Sequence, residues 1–127
     1  MDTGHEAMTA QLADPERKVV LIFCDGMLAG YFQYLVRNGV FHMEEIQFDA
    51  VYQGTGTFRC LYGFLIGRLV PAPEFVEAFA NKQNAKSIGI QRRMGMEVVG
   101  ENRSGRSWRL RGRYEDLVKW YASGNVK

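Results

Sequence analysis

Cysteine and histidine are scarce here, with two of each in 127 residues. Cys24 and Cys60 are far apart, and His5 and His42 stand alone. No cysteine or carboxylate sits at ligand spacing from them, so no metal site is expected. An excess of one charge is also missing. A formal net charge of +2 gives no reason to favour nucleic acid as a partner. No apolar run reaches membrane-spanning length and no signal peptide opens the sequence, so the expectation is a cytoplasmic chain with reduced thiols and no membrane partner. Three prolines, no low-complexity tract and no internal repeat argue against a linker or a second domain. What remains is ordinary: 46% hydrophobic residues, enough for one core in one domain spanning 1–127.

The stretch around which the chain is organised runs from Glu44 to Leu69. Ile46, Phe48 and Ala50 alternate with Glu45, Gln47 and Asp49 at the period of a strand. Phe58, Leu61, Tyr62, Leu65, Ile66 and Leu69 follow at helical spacing, as one continuous stripe. Between them lies Gln53-Gly54-Thr55-Gly56-Thr57. Free N–H groups at a helix start carry partial positive charge, and glycine lets a ligand approach the backbone, so this junction can hold a pyrophosphate. A dinucleotide fingerprint would need a third glycine where Arg59 stands, and no Lys-Ser/Thr follows for a Walker loop.

The rest of the chain is legible as alternating elements. Residues 1–17 read as an arm or a short helix, with a thin stripe of Met8, Leu12 and Ala13. The core, 18–112, opens with a strand from Lys18 to Cys24. A turn at Asp25-Gly26 follows, then a strand from Met27 to Arg37, a turn at Asn38-Gly39, and a strand from Val40 to Val51. Phe75 to Phe79 reads as a further strand and the segment after Asn84 as a helix closed by Gly95. A hairpin over Glu97–Asn102 and Ser107–Arg111 precedes a helix, Tyr114–Ala122, within 113–127.

The glycine junction resembles the coenzyme A loop of the GNAT superfamily of N-acetyltransferases, Gln/Arg-x-x-Gly-x-Gly/Ala. Gln53 and Gly56 match, while Phe58 stands where a small residue is usual. Asp25-Gly26-Met27-Leu28-Ala29-Gly30 is similar to the family's second hairpin. Asn84-Ala85-Lys86-Ser87 through Gly95 is similar to its Asn-x-x-Ala/Ser…Leu-Tyr-x-x-x-Gly-Phe segment. The matches cover Lys18 to Arg111 in the family's order. The resemblance implies an α+β fold with a mixed, mostly antiparallel sheet flanked by helices. It is either shortened at the N-terminus or completed by a partner chain, because the usual first strand and helix have little room before Lys18.

The resemblance also implies acetyl-CoA as co-substrate and an amine, of unknown identity, as acceptor. Its backbone contacts fall on the strand before the loop, here Phe48, Ala50 and Val51. The pyrophosphate contacts fall on Gln53, Gly54, Thr55, Gly56, Thr57 and Phe58, and the pantetheine contact on Asn84. Asn84 reads equally as a helix N-cap, and Arg59, Arg92 and Arg93 are candidates for the 3′-phosphate. The acceptor must lose a proton, and Glu45 on the same strand is the first candidate base, with Asp49 the second. Both read also as solvated strand carboxylates. Gln91 stands where many members carry a tyrosine, and an amide cannot donate a proton at pH 7 although it can hydrogen-bond. Tyr31, Tyr34 and Tyr52 are the alternatives for that proton.

Two functions follow. One is an acetyl-CoA-dependent N-acetyltransferase, favoured by Gln53, Gly54 and Gly56. The other is a catalytically inactive GNAT-like interaction or structural module, which Gln91, Phe58 and the missing N-terminal elements favour. Small proteins of that kind occur in bacteriophages, including virion components, and a virion location would then replace the cytoplasm. Trp120 and Tyr121 are expected at a contact within a homo-oligomer or with a partner protein.

Overall fold

Two left-handed dipeptides set the first half of the chain. Asp25-Gly26 and Asn38-Gly39 all adopt positive φ, between 51° and 80°. That is the tight hairpin geometry whose twist matches that of the flanking strands. The computed structural model describes residues 4–10, 15–52 and 56–124. The strands joined by these turns are β2 (Arg17–Cys24), β3 (Met27–Arg37) and β4 (Val40–Phe48). They form the expected antiparallel meander. Then follow α1 (Thr57–Ile66), β5 (Phe75–Asn81), α2 (Ala85–Arg93), β6 (Glu97–Glu101), β7 (Ser107–Arg113) and α3 (Tyr114–Ala122).

One element differs from the expected arm or short helix over 1–17. His5–Ala10 is a strand, β1, paired antiparallel with β2 from His5↔Cys24 to Ala10↔Val19. Its pairing with β2 supplies what its mixed composition does not: an edge strand needs one partner, not a continuous apolar face. A first strand therefore does have room before Lys18, while only residues 11–16 separate it from β2. Leu12 and Ala13, read as part of a helical stripe, lie outside the described residues.

The sheet has seven strands in the order β1-β2-β3-β4-β5-β7-β6. Every neighbouring pair is antiparallel except β4 and β5, which α1 joins as a parallel crossover. The α1 stripe is buried as its periodicity requires, with Leu61, Tyr62 and Leu65 in one core with Val20, Ile22, Phe32, Phe41 and Leu110. The opposite sheet face carries Tyr31, Gln33, Glu45, Glu77, Phe79, Arg109 and Arg111, which share one side by register.

The strand expected to run to Val51 ends at Phe48. There the Asp49 N–H donates to the Ala29 carbonyl (3.0 Å) and Ala50–Tyr52 form a 3-10 turn. The Thr57 hydroxyl, fully buried, donates to the Tyr52 carbonyl at 2.7 Å and ties that turn to the start of α1. Trp120 and Tyr121, expected at a subunit contact, pack on the chain's own α1. Trp120 meets Tyr62 edge-on with ring centroids 5.6 Å apart. Tyr121 lies over Gly63, where a Cβ would stand 2.7 Å from its hydroxyl oxygen.

Leu65, 1% exposed, anchors α1 to the sheet. Leu65→Ala is expected to cost about 2–5 kcal/mol in urea unfolding, since both transfer energy and cavity are lost. A cost below about 1 kcal/mol would contradict this packing.

Candidate active site

β4 and β5 part company halfway along. Their pairing runs from Val40↔Phe75 to Met43↔Ala78 and stops, although β4 continues to Phe48 and β5 to Asn81. The cause lies on the other edge of β4. Gln33 pairs with Glu45 and Tyr34 with Met43, so Glu44 is an extra residue that faces no partner on β3. Such a bulge bends and twists the strand that carries it. Beyond it β4 follows β3 closely. Gly30 permits this, since a Cβ there would lie 2.0 Å from the Gln47 carbonyl oxygen.

The fork opens a cleft of about 440 Å³. Met43, Ile46 and Phe48 line one wall, Ala78 to Asn81 the other, and Asn84, Ser87, Ile90, Gln91 and Met94 of α2 lie across it. Phe58 and Tyr62 close the α1 side, and Glu44 and Glu45 stand at the bulge. Beyond Met43 the β5-facing edge of β4 has no strand partner among the described residues. An extended amide chain can pair with such an edge as an added strand would.

The two glutamates differ in their surroundings. Glu44 accepts from Arg17 Nε at 3.0 Å and Nη2 at 3.2 Å, and from Gln33 Nε2 at 3.3 Å, which neutralises it. Glu45, in contrast, has the Tyr31 phenol as its diagonal neighbour on the same sheet face. Desolvation, the hydrogen bond to Glu45 and the charge of Glu45 together push the Tyr31 phenol above its ordinary value. Burial alone pushes the Tyr62 phenol far up, keeping that cleft wall neutral. Below the fork, Glu77 (8% exposed) accepts from Arg111 Nη1 at 2.6 Å and lies 3.5 Å from Arg109 and 4.0 Å from His42 Nδ1. The cluster ties β4, β5 and β7 together beneath the point of divergence.

Of the expected site residues, Glu45, Phe48, Phe58 and Asn84 meet at the cleft. Asp49, the second candidate base, does not line it. Asp49 lies past the strand end, exposed, where its backbone closes the turn. Ala50 and Val51 lie in the 3-10 turn rather than on β4, and Val51 is 75% exposed. Phe58 points inward, edge-on to Phe48 at 5.0 Å, and packs against the core. Asn84 caps α2 by accepting from the Ser87 N–H at 3.0 Å, and it also lines the cleft.

At the glycine junction, Gly56 is the left-handed N-cap of α1 (φ 89°) and Thr57 begins the helix, while Gln53, Gly54 and Thr55 lie outside the described residues. Arg59 lies over the Tyr121 ring, 5.1 Å from its centroid. Arg92 and Arg93 stand in the last turn of α2, where they complement the helix dipole. Ser87, Ile90 and Phe79 were not singled out from the sequence. Asn84, Ser87, Gln91 and Met94 recur at helical spacing, a signal that would have marked one face of α2.

Among the described residues no helix is long and apolar enough to cross a membrane. No family model matches the chain, and no curated protein does. Solved structures do. An acetyltransferase from Thermus thermophilus superposes with a TM-score of 0.68 at 16% identity, covering 80% of this chain and 66% of that one. The PaiA N-acetyltransferase of Thermoplasma acidophilum, in complex with coenzyme A, gives 0.67 at 12% identity over 78% and 62%. Nourseothricin acetyltransferase gives 0.64 at 20% over 88% and 84%. The chain thus spans a little under two thirds of the length of the first two.

The Tyr31–Glu45 pair makes a pH prediction. Its phenol should titrate above pH 10, because removing the proton sets an anion beside a carboxylate. Glu45→Gln should bring the titration down, short of the free value because desolvation persists. Ultraviolet difference titration of both proteins, with Tyr31→Phe to identify the signal, checks it. An unchanged Tyr31 titration in Glu45→Gln would contradict the pairing.

Proposed function

Given that this chain has the GNAT fold, we propose that it is an acetyl-CoA-dependent N-acetyltransferase, with the β4–β5 cleft as its reaction site. The observation that carries the proposal is the fork itself: a bulged β4 edge that opens beside a carboxylate and extends towards the N-terminus of α1. Acetyl-CoA is the co-substrate, its amide arm pairing with the β4 edge near Ile46 to Phe48. Its pyrophosphate meets the start of α1 at Gly56 and Thr57, with Gln53, Gly54 and Thr55 as its further contacts and Asn84 facing the arm. Gly56 suits this role because it is the left-handed N-cap of α1 and has no side chain to keep a ligand from the backbone.

The acceptor amine approaches from the helix-free sheet face, where Glu45 and Phe79 border the cleft. Glu45 takes the proton that the amine must lose, directly or through one water, while Tyr31 fixes the carboxylate. The nitrogen then attacks the thioester carbonyl carbon. As the carbonyl reforms, the carbon–sulfur bond breaks and sulfur leaves with the electron pair.

The second reading, an interaction module that has lost catalysis, rests on two specific features. Gln91 offers no acidic proton in the cleft, and the helix-free face exposes Leu28 (51%) and Phe79 (51%) to a partner protein or a second copy.

Thiol release measured across a panel of primary amines separates the two. With an amine that turns over, Glu45→Gln should lower kcat by about a hundredfold or more while acetyl-CoA affinity stays within a few-fold. Gly56→Val should abolish binding at a stability cost of about 1–3 kcal/mol, the strain of a side chain in the left-handed region. Acetyl-CoA binding without thiol release for any amine would favour the module.

A further inference from the structure

The cleft holds an amide with one end unanswered. Gln91 Nε2 lies 3.3 Å from the Ser87 hydroxyl, while Gln91 Oε1 is buried without a partner. A half-turn about the terminal bond exchanges the two ends. The Ser87 hydroxyl then donates to Oε1, the orphan is satisfied, and the Nε2 hydrogens face the cleft.

What the cleft needs at that position follows from its charges. Glu45 stands on the wall opposite α2, while Arg17 neutralises its neighbour Glu44, so an anion formed between Glu45 and Gln91 is repelled from one side. Resting on the acetyltransferase reading above, we propose that Gln91 holds the leaving thiolate by donating through Nε2, oriented by Ser87, and does not protonate it. The carbon–sulfur bond breaks, sulfur keeps the pair, and the proton lost by the amine stays with Glu45 until solvent collects it. The thiolate takes its own proton from water after release. Gln91 is thus a hydrogen-bonding group for the sulfur and has no part in general acid catalysis.

The test uses binding and needs no acceptor. Calorimetry compares coenzyme A with desulfo-coenzyme A, which carries hydrogen in place of the thiol, at pH 7 and pH 9. The other titratable groups lining the cleft are Glu44 and Glu45 from β4, Tyr62 from α1 and Lys86 from α2. Both ligands meet these same groups and differ only at the sulfur, so a change in the affinity ratio between them reports the thiol. In the wild type, the preference for coenzyme A should rise about sixfold between the two pH values, as expected if binding lowers the thiol about one unit from its ordinary value of about 8.5. Gln91→Leu should abolish the rise, and Ser87→Ala should reduce it. A flat or falling ratio in the wild type, with both ligands bound, overturns the role of Gln91 and leaves the acetyltransferase reading standing. If neither ligand binds, both fall together.

Discussion

The structure turns on the divergence of two parallel strands. A parallel pair buried in a sheet normally satisfies its backbone along its whole length. Here β4 and β5 abandon each other after Met43 and Ala78, leaving an edge inside the sheet. An edge of that kind is a liability unless something is meant to pair with it. The extra residue Glu44 produces the divergence, and Gly30 lets β3 draw β4 away. With α2 lying across the opening and α1 beginning beside it, a gap in a sheet becomes a cleft lined by donors, acceptors and apolar walls.

Charge is arranged around that gap with some economy. Glu77 and its arginines clamp the strands below the fork, Arg17 neutralises the bulged Glu44, and the Tyr31 phenol lies diagonally beside Glu45. Buried or crowded carboxylates are tolerated only with such partners. A single phenol neutralises no charge, so Tyr31 does less for Glu45 than Arg17 does for Glu44. The same sheet face carries no helix among the described residues, which leaves Glu45 and Phe79 open to an incoming molecule.

Much of this was written plainly in the sequence. The Asp-Gly and Asn-Gly pairs could hardly be anything but tight turns, and the Phe58–Leu69 stripe has one period. Other features were hidden for physical reasons. His5–Ala10 is an edge strand whose Glu6, Met8 and Thr9 look like a polar arm until β2 pairs with it. The alternation of β4 appears to continue through Ala50, and only hydrogen bonds from Asp49 and Thr57 end it. That is why Asp49 looked like a second base. The bulge did leave a trace. Phe41 and Met43 are apolar at odd positions, Ile46 and Phe48 at even ones, and the phase slips at Glu44-Glu45. The orphaned carbonyl of Gln91 left none, because it depends on which end of an amide meets a serine one turn earlier.

The central claim is that an extended amide chain fills the fork by pairing with β4. Backbone amide resonances followed through a titration with coenzyme A test it directly. The account predicts the largest shifts at Ile46 to Phe48, at Gly56 and Thr57, and around Gln91, with β1 and β6 undisturbed. Shifts confined to other parts of the sheet, or none at millimolar coenzyme, would contradict it.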